Sequence, residues 1–176
     1  MTRLLMLALL LAASPVAAQS ALKGHNIDAP IDVDAKVIDV VDANGKAIWS
    51  GDVRITQGDM KLNADTVTVF YSRSKKGGSP TLERLDAQNN VRLVTPSESA
   101  SGRYGIYDVT QKTITLVGGV TLTRGESVLR GGRLVIDLES GRSKLDGAGT
   151  SAGPGQAAVP GGRVTGRFVV PPRPGK

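Results

Sequence analysis

Gly51-Asp-Val-Arg-Ile-Thr-Gln-Gly-Asp-Met-Lys-Leu-Asn-Ala-Asp-Thr-Val-Thr-Val69 is answered 67 positions later by Gly118-Gly-Val-Thr-Leu-Thr-Arg-Gly-Glu-Ser-Val-Leu-Arg-Gly-Gly-Arg-Leu-Val-Ile136. Val53 aligns with Val120, Ile55 with Leu122, Gly58 with Gly125, Leu62 with Leu129, Ala64 with Gly131, Val67 with Leu134 and Val69 with Ile136, without a gap. In each copy apolar residues take every second place up to a glycine, and the alternation resumes after it. A period of two is the side-chain period of a β-strand, and a glycine between two such runs signals a tight reversal. The unit is therefore strand, glycine turn, strand, with Gly58 and Gly125 as the turn glycines. The copies exchange nearly every polar residue and keep the alternation, so what is duplicated is a shape. The register also extends backward: Val40-Val41-Asp42 aligns with Ile106-Tyr107-Asp108 once one residue is dropped in the turn.

Working outward, the same alternation recurs at intervals of about ten residues, the spacing of short strands joined by turns. Ile31 to Ala35, Val37 to Val41 and Lys46 to Trp49 precede the first copy, with Asp42-Ala-Asn-Gly45 as a turn in which Asn-Gly tolerates positive φ. Val67 to Tyr71, Leu82 to Ala87, Val91 to Val94, Tyr104 to Asp108 and Thr113 to Val117 connect the copies, and Asn89-Asn90 splits one pair. Ser72 to Pro80 is polar, charged and glycine-rich and reads as a solvent loop. No stretch beyond the first residues carries a 3.6-residue apolar period. The expected fold class is all-β, built from stacked antiparallel hairpins.

The two ends of the chain read differently from its middle. Arg3, the apolar run Leu4 to Ala13 and the small residues of Ser14-Pro-Val-Ala-Ala18 have the form of a secretory signal peptide over residues 1–18. The apolar run is well short of the roughly 20 residues a membrane-spanning helix needs. Residues 19–146 are expected to form one β domain. Residues 147–162 form a Gly/Ala/Pro linker that cannot bury enough apolar surface to offset its ordering entropy. Residues 163–176 form a basic tail in which Arg163-Val-Thr-Gly-Arg-Phe-Val-Val170 is strand-like. There is no cysteine, so an extracytoplasmic fold must rest on its apolar core.

The net charge of +6 does not belong to the domain. Of the 22 basic residues, Arg3 and the tail residues Arg163, Arg167, Arg173 and Lys176 lie outside 19–146, which leaves 17 against all 16 acidic residues. A nearly neutral domain with one Trp, three Tyr and two Phe has neither the electrostatic footprint nor the stacking platform of a nucleic-acid binder. Catalysis fares no better. Nucleophilic chemistry needs a base beside the nucleophile, and His25 is the only histidine, in a segment of weak β character. Thiolates are missing and imidazoles nearly so, which excludes zinc and iron–sulfur sites; Asp32 and Asp34 share the wet face of one strand, where they either bind a cation weakly or simply keep that face soluble. Asp59 and Glu126 follow the two turn glycines and are explained by the duplicated turn. Gly118-Gly119 and Gly131-Gly132 lack the Lys-Ser/Thr and the following helix of a phosphate cradle. No enzyme, cofactor or metal is expected.

Pro30-Ile-Asp-Val-Asp-Ala35, Gly51-Asp-Val-Arg-Ile-Thr-Gln-Gly58, Leu62-Asn-Ala-Asp65 and Val67-Thr-Val69 resemble the OstA-like N-terminal domain family over about Ala29 to Leu138. The resemblance implies a twisted, slightly open β-jellyroll in the periplasm, serving outer-membrane biogenesis, whose interior holds the acyl chains of lipopolysaccharide. It also implies edge-to-edge joining with matching β-jellyroll domains of the inner-membrane and outer-membrane transport components, in a slide whose energy comes from ATP hydrolysis on the cytoplasmic side.

The residues support part of that picture by themselves. Alternating strands offer a dry face, and its candidate members are Ile31, Val33, Val53, Ile55, Leu62, Val67, Val69, Val91, Leu93, Ile106, Leu116, Val120, Leu122, Leu129, Leu134 and Ile136. Arg54, Lys61, Arg124 and Arg130 alternate with them and belong to the opposite face in an ideal strand. Uncovered edge strands present N–H and C=O groups for pairing. Ile31 to Ala35 at one end, and Leu134 to Leu138 or the Arg163 peptide at the other, are the expected edges, open to partner domains or to head-to-tail self-association. If the tail covers the last edge, growth of a chain of copies is limited. The competing reading is an extracytoplasmic assembly module that binds protein edges and carries no lipid.

Overall fold

The alternation becomes ten antiparallel strands in a computed structural model that describes residues 25–41, 45–73, 79–147 and 162–169. They are β1 (Asp32–Asp34), β2 (Val37–Val41), β3 (Lys46–Gln57), β4 (Met60–Ser72), β5 (Thr81–Val94), β6 (Glu98–Asp108), β7 (Thr113–Arg124), β8 (Ser127–Asp137), β9 (Ser143–Asp146) and β10 (Thr165–Arg167). All belong to one sheet in the order β1-β3-β4-β5-β6-β7-β8-β10. β2 lies beyond β1 along the same flank of β3, and β9 beyond β10 along the same flank of β8. The two ends of the sheet do not pair with each other, so it is open rather than closed into a barrel. The expected leader 1–18, the centre of the 72–80 loop and most of the 147–162 linker lie outside the described residues.

Both turn glycines sit in two-residue hairpin loops. Gln57 pairs with Met60 across Gly58-Asp59, and Arg124 pairs with Ser127 across Gly125-Glu126. Gly58 has φ 53° and Gly125 φ 55°, while the acid that follows each keeps a negative φ, the pattern of a turn with glycine at its first central position.

The strands are longer than the sequence alternation suggests, because several apparent interruptions are not turns. Gly51-Asp52 in β3, Asn89-Asn90 in β5 and Gly118-Gly119 in β7 are pairs of consecutive residues with positive φ, between 50° and 89°. The pairing register slips by one residue at each, between Ser50 and Val53, between Gln88 and Val91, and between Val117 and Val120. Two left-handed residues in a row bend a strand without reversing it. Asn89-Asn90, expected to split two strands, thus bends one. The three bulges lie side by side across the sheet, and β4, β6 and β8 pass them with one residue fewer. The result is a crease that doubles the sheet over.

The two halves then share one interior. Val53, Ile55, Met60, Leu62, Leu93, Ala100 and Leu122 from one side of the crease form a single buried cluster with Val67, Leu85, Tyr107, Ile114, Leu116, Leu134 and Ile136 from the other. Backbones approach closely at the crease. A Cβ on Gly51 would stand 2.9 Å from Lys36 Cβ, and one on Gly118 would stand 2.7 Å from Arg103 Cβ. Lys36 and Arg103 are themselves 67 positions apart, so the duplication carries the crease with it. Gly118→Val, which combines that clash with φ 89°, is expected to cost about 1–3 kcal/mol in urea denaturation. Gly119→Ala, with φ 72° and open space around it, is expected to cost about 1 kcal/mol. Equal, negligible losses would show that the crease does not need left-handed backbone.

Candidate functional site

The interior between the two halves is where the candidate dry-face residues meet. Val53, Ile55, Leu62, Val67, Val91, Leu93, Leu116, Val120, Leu122, Leu134 and Ile136 are buried there. Ile31, Val33, Val69 and Leu129 are half-buried and pack against that core. Ile106 is the exception. It is half-exposed, and its neighbours Gly105 and Tyr107 are the buried residues of β6, so alternation puts Ile106 on the outer face. Its cross-strand partners there are Asp86 and Thr115. The inner position belongs to Gly105 because a Cβ there would meet Val91 at 2.9 Å and Leu116 at 3.0 Å. The outer face beside Ile106 carries Arg84, which pairs with Asp86 at 2.8 Å and lies 4.5 Å from the centre of the Phe70 ring.

Several interior residues were not among the candidates. Met60, Leu85, Ile114 and Leu138 continue the apolar alternation already used and were available from it. Gln57 and Tyr107 were not, because their role depends on the doubling. Gln57 is 1% exposed and all four hydrogen-bonding positions of its amide are used. Its Nε2 donates to the carbonyls of Ile27 at 2.9 Å and Ala29 at 3.1 Å. Its Oε1 accepts from the Tyr107 hydroxyl at 2.8 Å and from His25 Nε2 at 3.1 Å. Gln57 belongs to the tip of one half and Tyr107 to the other, so this knot ties the halves together and straps residues 25–29 over the gap. The strap reaches as far as Lys112, whose ammonium pairs with Glu139 at 2.8 Å and also feels Asp28.

The other stretch of the gap is built differently. A cavity of about 310 Å³ opens between Leu122, Arg124, Ser127 and Leu129 on one half and Ser143 on the other, under the ring of Phe168. Its lining is mostly apolar. At its rim Arg124 donates to Glu98 Oε2 from Nε at 3.0 Å and from Nη2 at 2.6 Å, which neutralises a carboxylate that is otherwise buried. Of the four basic residues expected on the opposite face, Arg54, Lys61 and Arg130 face solvent, whereas Arg124 stands two places beyond Leu122, shares its face and lines the cavity with it. At the crease a second, open hollow of about 680 Å³ is lined mostly by polar residues, among them Asp65, Asn90, Arg92 and Arg103, with Val91 its one apolar side chain. Among the described residues no group of three metal-ligating side chains comes together.

A doubled, open antiparallel sheet with an apolar interior and unpaired ends is a fold shared with known proteins. Residues 32–142 match the family described as LptA/(LptD N-terminal domain) LPS transport protein. The chain belongs to that family. An uncharacterized protein of Rhizobium meliloti (strain 1021) is 33% identical over 144 residues, covering 78% of this chain and 77% of the relative. The lipopolysaccharide export system protein LptH of Pseudomonas aeruginosa is 27% identical over 149 residues, covering 82% of this chain and 75% of LptH. The fold is also that of a crystal structure of LptH, described as the LptA homologous periplasmic component of the conserved lipopolysaccharide transport device, with a TM-score of 0.64 at 24% identity over 84% of this chain and 99% of that one. The LptA family is one of non-catalytic periplasmic transport proteins.

Burial raises the pKa of the Tyr107 phenol. A raised pKa means the neutral phenol is favoured in the fold. That stability is complete below the ordinary phenol pKa of about 10 and is lost as pH rises through the folded value. In absorbance titrations the wild type is expected to show a phenol that ionises late and is missing in Tyr107→Phe. Gln57→Ala strands the Tyr107 hydroxyl and two carbonyls and is expected to cost about 1–3 kcal/mol in denaturant midpoint experiments. A loss no larger than that of Tyr107→Phe would show that the strap is not held through Gln57.

Proposed function

We propose that this chain carries lipopolysaccharide across the periplasm by its acyl chains, held between the two halves of the doubled sheet, and bridges the matching β-jellyroll domains of the inner-membrane and outer-membrane components. The observation that carries this reading is that every long strand sends alternate side chains into one continuous apolar interior, while both ends of the sheet remain unpaired. An acyl chain gains roughly 0.8 kcal/mol for each CH₂ taken out of water, and this requires a continuous dry surface with no individual catalytic group. The halves are joined covalently at the crease and only by side chains across the gap, so parting them exposes Leu62, Leu122 and Leu129 to a lipid without unpairing the sheet. The flank of β3 that carries β1 and β2, and the flank of β8 that carries β9 and β10, supply the edges for the neighbouring domains, and for head-to-tail self-association in the same manner.

A specific observation favours the second reading, an assembly module that binds protein edges without lipid. The core residues Val53, Val67, Ile114, Leu116 and Leu134 are 0% exposed, so the interior is filled by its own side chains in this state. Photo-crosslinking residues at Leu62 and Leu122, with Arg54 and Lys61 as outward controls, separate the two in growing cells. Covalent lipopolysaccharide adducts at the inward positions and none at the outward ones are expected. Adducts absent from both inward positions would sink the transport reading and leave the assembly module.

A further inference from the structure

The hollow at the crease spans β4 to β7 and gathers charge that is not balanced within it. Elsewhere Arg54, Arg84 and Arg124 each hold a carboxylate, that of Asp52, Asp86 and Glu98 in turn. Arg92 and Arg103 share the hollow, and neither forms an ion pair among the described residues. The acid beside them, Asp65, already accepts from Asn90 Nδ2 at 2.9 Å. One carboxylate cannot neutralise two guanidiniums, so the hollow keeps a positive charge. The duplication shows what is missing. Position 52 of the first copy corresponds to position 119 of the second, as Lys36 does to Arg103. Asp52 brings a carboxylate to the first position and holds Arg54 with it. Gly119 brings none to the second, and a Cβ there would meet no atom within 4 Å. Gly118 and Gly119 also stand outside the pairing register of both neighbouring strands. Glycine beside open space lets a ligand come up to the backbone.

We propose that this hollow binds a phosphorylated sugar, its phosphate beside Arg92, Arg103 and Gly119, where the first copy would supply the carboxylate of Asp52. The charge selects the phosphate. A phosphate monoester carries about −1.5 to −2 at neutral pH, enough for both guanidiniums, and its oxygens suit their forked N–H groups. The rest of the lining selects the sugar. A hollow of about 680 Å³ is far larger than a bare phosphate needs, and Asp65, Asn90 and Ser101 line it with carboxylate, amide and hydroxyl groups that exchange hydrogen bonds with sugar hydroxyls. A soluble sugar phosphate and a phosphorylated lipid headgroup share this chemistry. A lipid held in the gap presents its headgroup on the side of the fold opposite the crease, so the ligand of the hollow is a separate, soluble molecule. The inference therefore does not rest on lipid transport.

Calorimetric titration of the full chain with glucose 6-phosphate, glucose and inorganic phosphate tests this. Glucose 6-phosphate is expected to bind and glucose not, with inorganic phosphate at least about ten-fold weaker because it leaves the sugar-facing groups unused. Arg92→Gln and Arg103→Gln, both at exposed side chains, are each expected to weaken binding about ten-fold or more. Arg130→Gln is the control, since Arg130 lies in the same outer row as Arg92, through Ser101 and Thr121, but outside the hollow; it is expected to leave binding unchanged. Gly119→Asp repeats the first copy's residue at φ 72°, close to the 55° that Asp52 adopts, and is expected to abolish binding. Saturating glucose 6-phosphate is expected to leave crosslinks of purified lipopolysaccharide to Leu62 and Leu122 undiminished. The inference is overturned if glucose 6-phosphate does not bind, if glucose binds equally well, or if inorganic phosphate binds as tightly, which would mean an adventitious ion only. It is also overturned if Arg130→Gln weakens binding as much as the variants in the hollow, or if the sugar phosphate displaces the lipid. Lipid adducts missing while sugar phosphate binding is intact would overturn lipid transport alone.

Discussion

Three pairs of left-handed residues determine what this sheet can do. Gly51-Asp52, Asn89-Asn90 and Gly118-Gly119 stand on alternate strands at the same level, and each adds one residue that the neighbouring strand lacks. A flat antiparallel sheet has one face for a core and needs another layer to cover it. Here the cover is the sheet's own other half, reached without a crossover connection. Because each bulge adds one residue relative to its neighbours and bends the strand, the dry face before the crease and the dry face after it turn toward the same interior. A bulge on one strand alone would be a local kink; three in line form a hinge axis that β4, β6 and β8 must follow. The recurrence of the Lys36 and Arg103 positions opposite Gly51 and Gly118 places this device inside the duplicated unit.

This is why the alternation was legible in the sequence and the architecture only partly so. Strand direction, hairpin turns at Gly58 and Gly125 and the identity of most interior residues follow from a period of two and from glycine chemistry, both local. Whether Asn89-Asn90 reverses a strand or bends it depends on the register of its neighbours, which no local pattern encodes. Ile106 shows the same limit at a single side chain. It is the most apolar residue of Tyr104-Gly-Ile-Tyr107, yet the inner places go to Gly105, whose missing Cβ admits Val91 and Leu116, and to Tyr107, whose hydroxyl has Gln57 to meet. A buried glutamine with every hydrogen bond made is invisible beforehand because its partners come from sequence separations of 28 to 50 residues. Strand β9 was missed for a related reason: Ser143-Lys-Leu-Asp146 has little β character and is a strand because β8 offers it an edge.

The two parts of the gap opposite the crease are closed by different chemistry, and they would resist parting to different degrees. Under the strap at residues 25–29, parting the halves would leave Gln57, Tyr107 and His25 without partners in an apolar setting, at a cost set by desolvation of each polar group. Near Leu122 and Leu129 the closing contacts are apolar and a cavity already exists, so parting the halves there would strand fewer polar groups. The polar knot thus holds one part of the gap more firmly than the other is held. Arg124 and Glu98 stand at the rim of the second part, both on one half, so parting the halves would leave their ion pair intact.

An open sheet carries a liability that a barrel avoids, since its two ends present backbone groups to any passing strand. Closure into a barrel would remove both free edges along with the hazard. Each end meets the conflict by dividing the flank of one long strand between two short ones, β1 and β2 on β3, β9 and β10 on β8. Short strands are weakly held because each adds few ladder hydrogen bonds and, in β10, no buried side chain. They blunt the edge against strangers.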